Sequence, residues 1–346
     1  MKTEILKVDP EEPEPLKIKA AAKILHDGGL VAFPTETVYG LGADAFNPEA
    51  VKKIFEVKGR PSDNPLIVHV ASISEVYRLA KEVPKKAERL MKRFWPGPLT
   101  LVFKKMSVVP DIVTAGLDTV AIRMPDNEAA LAMIREAGTP IVAPSANTFS
   151  KPSPTTPGHV VSDLYGKIEL ILDGGNTRIG VESTVVDVTT DSVLLLRPGG
   201  LDLEEIEAVV GRVELHPAVK AMPNVNGHAA KAPGMKYKHY APNAKVVLVE
   251  GGGEKIVRNV NSLIRVFVRR GSVVGVITMR EGEFYDTDKV KFMRDFNTFA
   301  KNLFTAFREF DKIGVDVIIV EGVEERGLGL AIMNRLRKAS SQIIHV

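Results

Sequence analysis

Apolar positions along residues 16–210 alternate between short runs and helical spacing. Residues 17–26 carry a helical period that stops at Asp27-Gly28-Gly29. Residues 30–33 read as a short buried strand broken by Pro34. A helix is expected over 48–58, with Pro48 in the first turn, where its missing N–H is harmless. Strands are expected at 66–70, 99–103, 120–123, 141–143, 168–172, 183–188 and 193–196, with Thr189-Thr190-Asp191 as the turn joining the last two. Ser72 and Glu75 have capping-box spacing, residues 84–94 read as a helix, and 126–137 as another ended by Gly138. From 245 onward, strands at 246–249, 273–277 and 315–320 alternate with helices at 254–270, 295–310 and 328–339. That rhythm predicts a small parallel sheet with helices on its faces. Between the two patterns, 212–244 is rich in Pro, Gly, Asn and Lys and has no sustained apolar period. The expected organisation is therefore an α/β domain over 1–211, a linker or lid over 212–244, and a smaller α/β domain over 245–346.

Composition narrows the chemistry. The chain has 346 residues, suited to two domains, and a formal net charge of +3 that permits an anionic partner without demanding one. The absence of cysteine excludes disulfides, thiolate metal sites and a cysteine nucleophile. The seven histidines are scattered, and no metal ligand is assigned. The charged N-terminus lacks the apolar core of a signal peptide, and no apolar run reaches membrane-span length, so a soluble cytoplasmic protein is expected.

No P-loop and no GxSxG elbow occurs. Gly251-Gly252-Gly253 follows a strand and opens a helix, which favours anion binding, but it lacks the full GxGxxG pattern, so a tight turn is the preferred reading and a nucleotide site the alternative. What remains is a series of polar loops at strand ends in the first domain, where α/β ligand sites usually lie. Residues 34–42, PTETVYGLG, offer hydroxyls, one carboxylate and glycines. Residues 58–66, KGRPSDNPL, fix Arg60 in a stiff turn, and guanidinium forks suit phosphate. Arg123 ends an apolar strand and requires an anionic partner, either a substrate carboxylate or a protein one. Pro144-Ser145-Ala146-Asn147, Glu182-Ser183-Thr184 and Arg197-Pro198-Gly199 complete the set. Together they supply cations and hydroxyls but no obvious protein nucleophile. That suits an enzyme that joins two small substrates by positioning and charge.

PTETVYGLG, KGRPSDNPL, PSAN, ESTVVD and LRPG, in this order and spacing, resemble the YrdC-like threonylcarbamoyl-AMP synthases. PGMKYKHYAP at 233–242 and the appended α/β domain resemble their longer, two-domain branch. The resemblance implies a twisted mixed YrdC-like sheet with helices, followed by a Rossmann-like parallel domain. It implies formation of threonylcarbamoyl-AMP and pyrophosphate from L-threonine, bicarbonate and ATP, for proteins that transfer the threonylcarbamoyl group to tRNA. It carries over Lys58 and Arg60 as the catalytic phosphate ligands, with Asn64, Thr119, Ser145, Asn147, Ser153 and Arg197 around ATP. Thr37, His69, Arg123, Ala143 and Ser183 would surround threonine. Magnesium is expected to arrive with ATP. Tyr237, His239 and Tyr240 are expected in a lid over the first-domain cleft, the alternative being an ordinary tether. An RNA-binding module is the competing class, and weak tRNA contact remains open. A third reading, carbamoyl transfer as in hydrogenase maturation factors, is disfavoured because those chains carry zinc-finger cysteines.

Overall fold

The computed structural model describes residues 2–219, 239–251, 255–281 and 285–346. The chain divides into two compact units, one of Met1–Phe149 with Ser153–Lys236 and one of Ser150–Pro152 with Tyr237–Val346. No helix among the described residues is long and apolar enough to cross a membrane.

The first unit is built on β1 (Glu4–Lys7), β2 (Val31–Phe33), β3 (Gly40–Asp44), β4 (Ile67–His69), β5 (Leu99–Lys104), β6 (Thr119–Arg123), β7 (Ile141–Val142), β8 (Leu170–Asp173), β9 (Thr184–Asp187), β10 (Val193–Arg197) and β11 (Val213–Leu215). They pair in the order β1-β8-β2-β3-β7-β4-β6-β5-β9-β10-β11, with parallel and antiparallel neighbours mixed. The helices are α1 (Pro15–His26), α2 (Pro48–Lys58), α3 (Val76–Leu79), α4 (Lys85–Phe94), α5 (Asp111–Thr114), α6 (Glu128–Ala137), α7 (Pro157–Leu164) and α8 (Leu203–Val210). The main core forms where α1 buries Ile18, Ala21 and Leu25, the i, i+3, i+7 stripe of its sequence, against Val31, Phe33, Leu170 and Leu172 and the apolar stripe of α6. Each fully buried aliphatic side chain there contributes about 1.5–3 kcal/mol.

Three features depart from the sequence reading. Residues 34–42 do not stay a loop, because Gly40–Asp44 forms β3 between β2 and β7. Its glycines are steric: a Cβ on Gly42 would lie 2.9 Å from both Phe33 and Ile141 side chains. The Ser72 capping box is present, and the helix it is expected to cap is a single 3-10 turn that runs into the four-residue α3. Finally, Val213–Leu215, inside the stretch expected as linker, pairs with β10 and extends the first sheet.

The second unit holds β12 (Lys245–Glu250), α9 (Lys255–Arg269), β13 (Val274–Thr278), β14 (Val290–Phe292), α10 (Phe296–Lys312), β15 (Val317–Glu321), α11 (Leu328–Ala339) and β16 (Gln342–His345). Its strands are all parallel, in the order β14-β13-β15-β12-β16. Ile256, Val260 and Ile264 of α9 cover Val247, Val249, Val274, Val276 and Ile319 on one face. Phe310 of α10 lies over Gly275, whose neighbours Val274 and Val276 point the other way, so α10 occupies the opposite face. A small parallel sheet with helices on its faces is what the alternating pattern predicts. Tyr237 of the expected lid lies outside the described residues. His239 and Tyr240 are buried in the second unit, where Tyr240 stacks on Phe304 (5.4 Å between centroids) beneath the Arg335 guanidinium.

Replacing Gly42 by Val forces two core side chains apart. We expect Gly42→Val to lower stability by about 1–3 kcal/mol in chemical denaturation. An unchanged midpoint would show that Phe33 and Ile141 have room to give.

Candidate active site

The first-unit strand ends gather the predicted residues into three hydrogen-bonded groups. One is centred on Arg123, which ends β6 and is 4 % exposed. Its Nη2 donates to Glu36 Oε2 at 2.6 Å and to Thr37 Oγ1 at 2.9 Å. Glu36 is 1 % exposed, so this is a buried ion pair. Register places His69 of β4 and Thr100 of β5 on either side of Arg123. His69 is buried and its ring lies edge-on to Phe33. Burial first, and the Arg123 charge second, pull its pKa down to about 3, so the imidazole is neutral at physiological pH.

A second group is organised by α2. Asn47 caps its first turn through Glu49 and Ala50 N–H, and Gly59 in the left-handed conformation ends it. Lys58 is therefore the last helical residue. Instead of remaining at the helix end, its buried Nζ donates to the carbonyls of Ser145, at 2.5 Å, and Asn147. Burial, then the Arg60 charge, depress its pKa. Arg60 Nη2 bonds the carbonyls of Asn64 and Pro65 at 3.2 and 3.1 Å. The PSAN segment is clipped to the PTET loop by Leu41 N–H to Pro144 and Ala146 N–H to Tyr39. Ala143, just before it, donates its N–H to the Ile67 carbonyl.

The third group joins Arg197 to Ser183. Arg197 Nη2 donates to the Ser183 carbonyl at 2.8 Å and lies 3.3 Å from its hydroxyl, which bonds Thr100 at 2.7 Å. Ser153 donates to Glu182 at 2.5 Å. Gly199 of the LRPG motif has a clear role here. A Cβ would come within 2.3 Å of the Glu182 carbonyl oxygen, so only glycine lets this turn press against the Ser183 backbone. Thr100 links this group to the Arg123 group through strand register. Thr119 stands apart: it opens β6, about 13 Å along the strand from Arg123.

Several polar atoms in this region are buried with no hydrogen-bond partner among the described residues: Glu36 Oε1, Arg123 Nε, His69 Nδ1 and both side-chain amide atoms of Asn64. Buried polar groups are ordinarily paired, so a cluster of orphans beside an ion pair marks a place where a polar ligand completes the bonding. Ile67, Val102, Ala121, Val185 and Leu196 form a small apolar cluster on neighbouring strands.

Sequence reasoning assigned no role to Glu36, Thr100 or Glu182. For Glu36 a signal was present: a single carboxylate in the first loop is a candidate counter-ion for an arginine ending an apolar strand, as Arg123 does. Thr100 reads as an ordinary strand residue, and only register reveals its place beside Arg123.

Removing the Glu36 charge leaves Arg123 buried without its counter-ion. Glu36→Gln should therefore cost about 3–5 kcal/mol in urea unfolding, whereas Glu36→Met combined with Arg123→Met should cost much less. Equal losses in both variants would refute the ion-pair account. For His69, the folded pKa is below the unfolded value of 6.5, so the unfolded state takes up the proton first. Its contribution makes stability fall as pH drops from about 6.5 towards 3, at up to about 1.4 kcal/mol per pH unit. His69→Gln should flatten the pH 6.5–5 limb of a stability profile, and a parallel limb would be the contrary result.

Residues 23–199 match the protein family described as Telomere recombination, and residues 201–341 match the family described as Threonylcarbamoyl-AMP synthase, C-terminal domain. The Threonylcarbamoyl-AMP synthase of Pyrococcus abyssi is 58% identical over 331 residues, covering 95% of this chain and 96% of the relative. That of Bacillus subtilis is 52% identical over 329 residues, covering 94% and 93%. The crystal structure of P. abyssi Sua5 complexed with L-threonine superposes with a TM-score of 0.94 at 57% identity, over 99% of this chain and 100% of that one. With both halves matched to family descriptions and relatives aligned nearly end to end, the chain belongs to the threonylcarbamoyl-AMP synthase family.

Proposed function

We propose that the chain converts L-threonine, bicarbonate and ATP into L-threonylcarbamoyl-AMP and pyrophosphate. The observation that carries this reading is the Glu36–Arg123–Thr37 cluster with its unpaired carboxylate oxygen and guanidinium nitrogen. An amino acid zwitterion complements it: the carboxylate accepts from Arg123 and the ammonium donates to Glu36 Oε1. Thr37 and Ser183 offer hydroxyls for the substrate hydroxyl, and neutral His69 offers an unpaired ring nitrogen. Ala143 closes this side of the site through its backbone.

In the reaction, the deprotonated threonine nitrogen forms a bond to the carbon of CO2 released from bicarbonate, and a nitrogen proton leaves. A carbamate oxygen then attacks the α-phosphorus as its bond to the departing pyrophosphate oxygen breaks. In-line displacement needs alignment and charge neutralisation more than a covalent intermediate. Lys58 and Arg60 supply that charge at the phosphates, with Asn64, Ser145, Asn147, Ser153 and Arg197 around the nucleotide. Thr119 would serve the end of the nucleotide farthest from threonine. Lys58 Nζ and Arg60 Nη2 each donate to backbone carbonyls, contacts that phosphate oxygens can replace. Magnesium, a hard cation carried on the triphosphate, would neutralise phosphate charge there with water completing its shell. The product is a mixed anhydride fit for transfer to an adenosine of tRNA by downstream proteins in the cytoplasm, with any direct tRNA contact of this chain weak.

Incubation with ATP, bicarbonate and single amino acids provides the test. Pyrophosphate release should require threonine; release that ignores the amino acid would overturn the substrate assignment. The apolar cluster near Arg123 suits the threonine methyl, so serine should lose about 10–200-fold in kcat/KM. Arg123→Lys, which lacks the fork, should raise KM for threonine by about tenfold or more and leave KM for ATP near its original value.

A further inference from the structure

The carboxyl ends of three adjacent strands in the second unit frame a cavity of about 520 Å³ that the proposed reaction does not use. Its position follows from topology. β12 leads into α9 on one face of the sheet, whereas β14 leads through α10, on the opposite face, to β15. α11, which follows β15, packs against α10. Helices leaving neighbouring strands β12 and β15 therefore diverge, and such a switch point opens the crevice where parallel α/β sheets take their ligands. The volume falls within the range of small-molecule sites, about 300–1,000 Å³.

The lining is chemically divided. Glu321, 3 % exposed at the end of β15, forms a fixed acidic floor. It accepts from the Tyr285 hydroxyl at 2.6 Å and the Thr278 hydroxyl at 2.9 Å, and lies 3.3 Å from Arg280 Nε. Arg280 follows β13 and Arg326 precedes α11. Each uses Nε on a carboxylate, Glu321 for Arg280 and Glu324 at 2.7 Å for Arg326. Among the described residues neither terminal guanidinium pair has a hydrogen-bond partner, so two anchored forks border one cavity. Met279, Phe296 and Val323 contribute apolar wall.

We infer that the second unit is a binding site for a nucleoside phosphate. The phosphate takes the forks of Arg280 and Arg326, the base lies against Met279 and Phe296, and the ribose hydroxyls reach Glu321. Guanidinium forks match phosphate oxygens in pairs, a flat base suits a mixed aromatic and thioether wall, and a buried carboxylate is an acceptor for sugar hydroxyls. Of the Gly251-Gly252-Gly253 turn, only Gly251 borders the cavity among the described residues, and the site needs none of the three. This inference is independent of the reaction proposed for the first unit.

Equilibrium dialysis of the full chain with radiolabelled AMP, ADP and ATP tests it. At least one probe should reach two equivalents per chain. Arg280→Gln with Arg326→Gln should remove one equivalent and leave threonine-dependent pyrophosphate release intact, and Arg60→Gln should remove the other. Arg326→Gln alone, at an exposed position that cannot unfold the chain, should weaken the second equivalent about five- to tenfold. If no equivalent of any of the three probes depends on Arg280 and Arg326, the inference is overturned. A single equivalent lost only with Arg280 and Arg326 would uphold it while counting against ATP binding in the first unit.

Discussion

The buried pair of Arg123 and Glu36 is the contact on which the rest of the first-unit site is set. Two charges have been taken out of water, and their attraction only roughly offsets that desolvation, so the pair is a poor source of net stability. Its effect is positional. Breaking it is costly, which pins the PTET loop to the end of β6 and leaves Thr37 only one place to stand. The same loop is held from behind, where the Glu36 carbonyl accepts from Arg178 and Ile179 and the Thr37 carbonyl from Gly180. That second seam leads directly into Glu182 and Ser183. A single ion pair thus fixes the relative placement of segments more than 80 residues apart.

The phosphate side is assembled by a different rule. Lys58 is fully enclosed, and its Nζ donates to the carbonyls of Ser145 and Asn147. Burial and the neighbouring Arg60 charge depress the pKa of Lys58, and an anion arriving beside the two basic groups favours its charged form again. Arg197 likewise spends three hydrogen bonds on Ser183. The two halves of the site therefore differ in kind. The Arg123 side is charge-paired and rigid, suited to recognising a small zwitterion. The Lys58 side rests on exchangeable backbone contacts, suited to a highly charged group that arrives and departs.

Much of this was legible in the sequence because local rules coincide with the site. Asn47-Pro48 and Gly59 delimit α2 by capping chemistry, and those limits alone deliver Lys58 to the end of the helix. The loops were found because they flank recognisable buried strands or, for Lys58 and Arg60, follow a recognisable helix. What was hidden depended on pairing across the sheet. β3 reads GLGAD and shows no alternation, since its small residues answer to Phe33 and Ala143 pressing on it, not to any pattern of its own. Strands β1, β11 and β16 are short and mostly exposed, and their periodicity is too brief to register. The placement of Thr100 beside Arg123 and Ser183 exists only once β5 has paired with both β6 and β9.

The contrast between the sheets extends this argument. In the mixed first sheet no single edge collects all strand ends of one direction, so its site is assembled by side chains reaching across register: His69 and Arg123 at carboxyl ends, Thr100 near an amino end. In the all-parallel second sheet every carboxyl end lies on one edge, and topology alone opens a crevice there. The first kind of site is sensitive to any slip of strand pairing, because a shift of one residue turns Arg123 away from Glu36 and onto the opposite face. The buried ion pair therefore acts as a register lock: a slipped β6 would leave a charge of each sign buried and alone, a penalty that no rearranged apolar contact in the small cluster around Ala121 is large enough to offset.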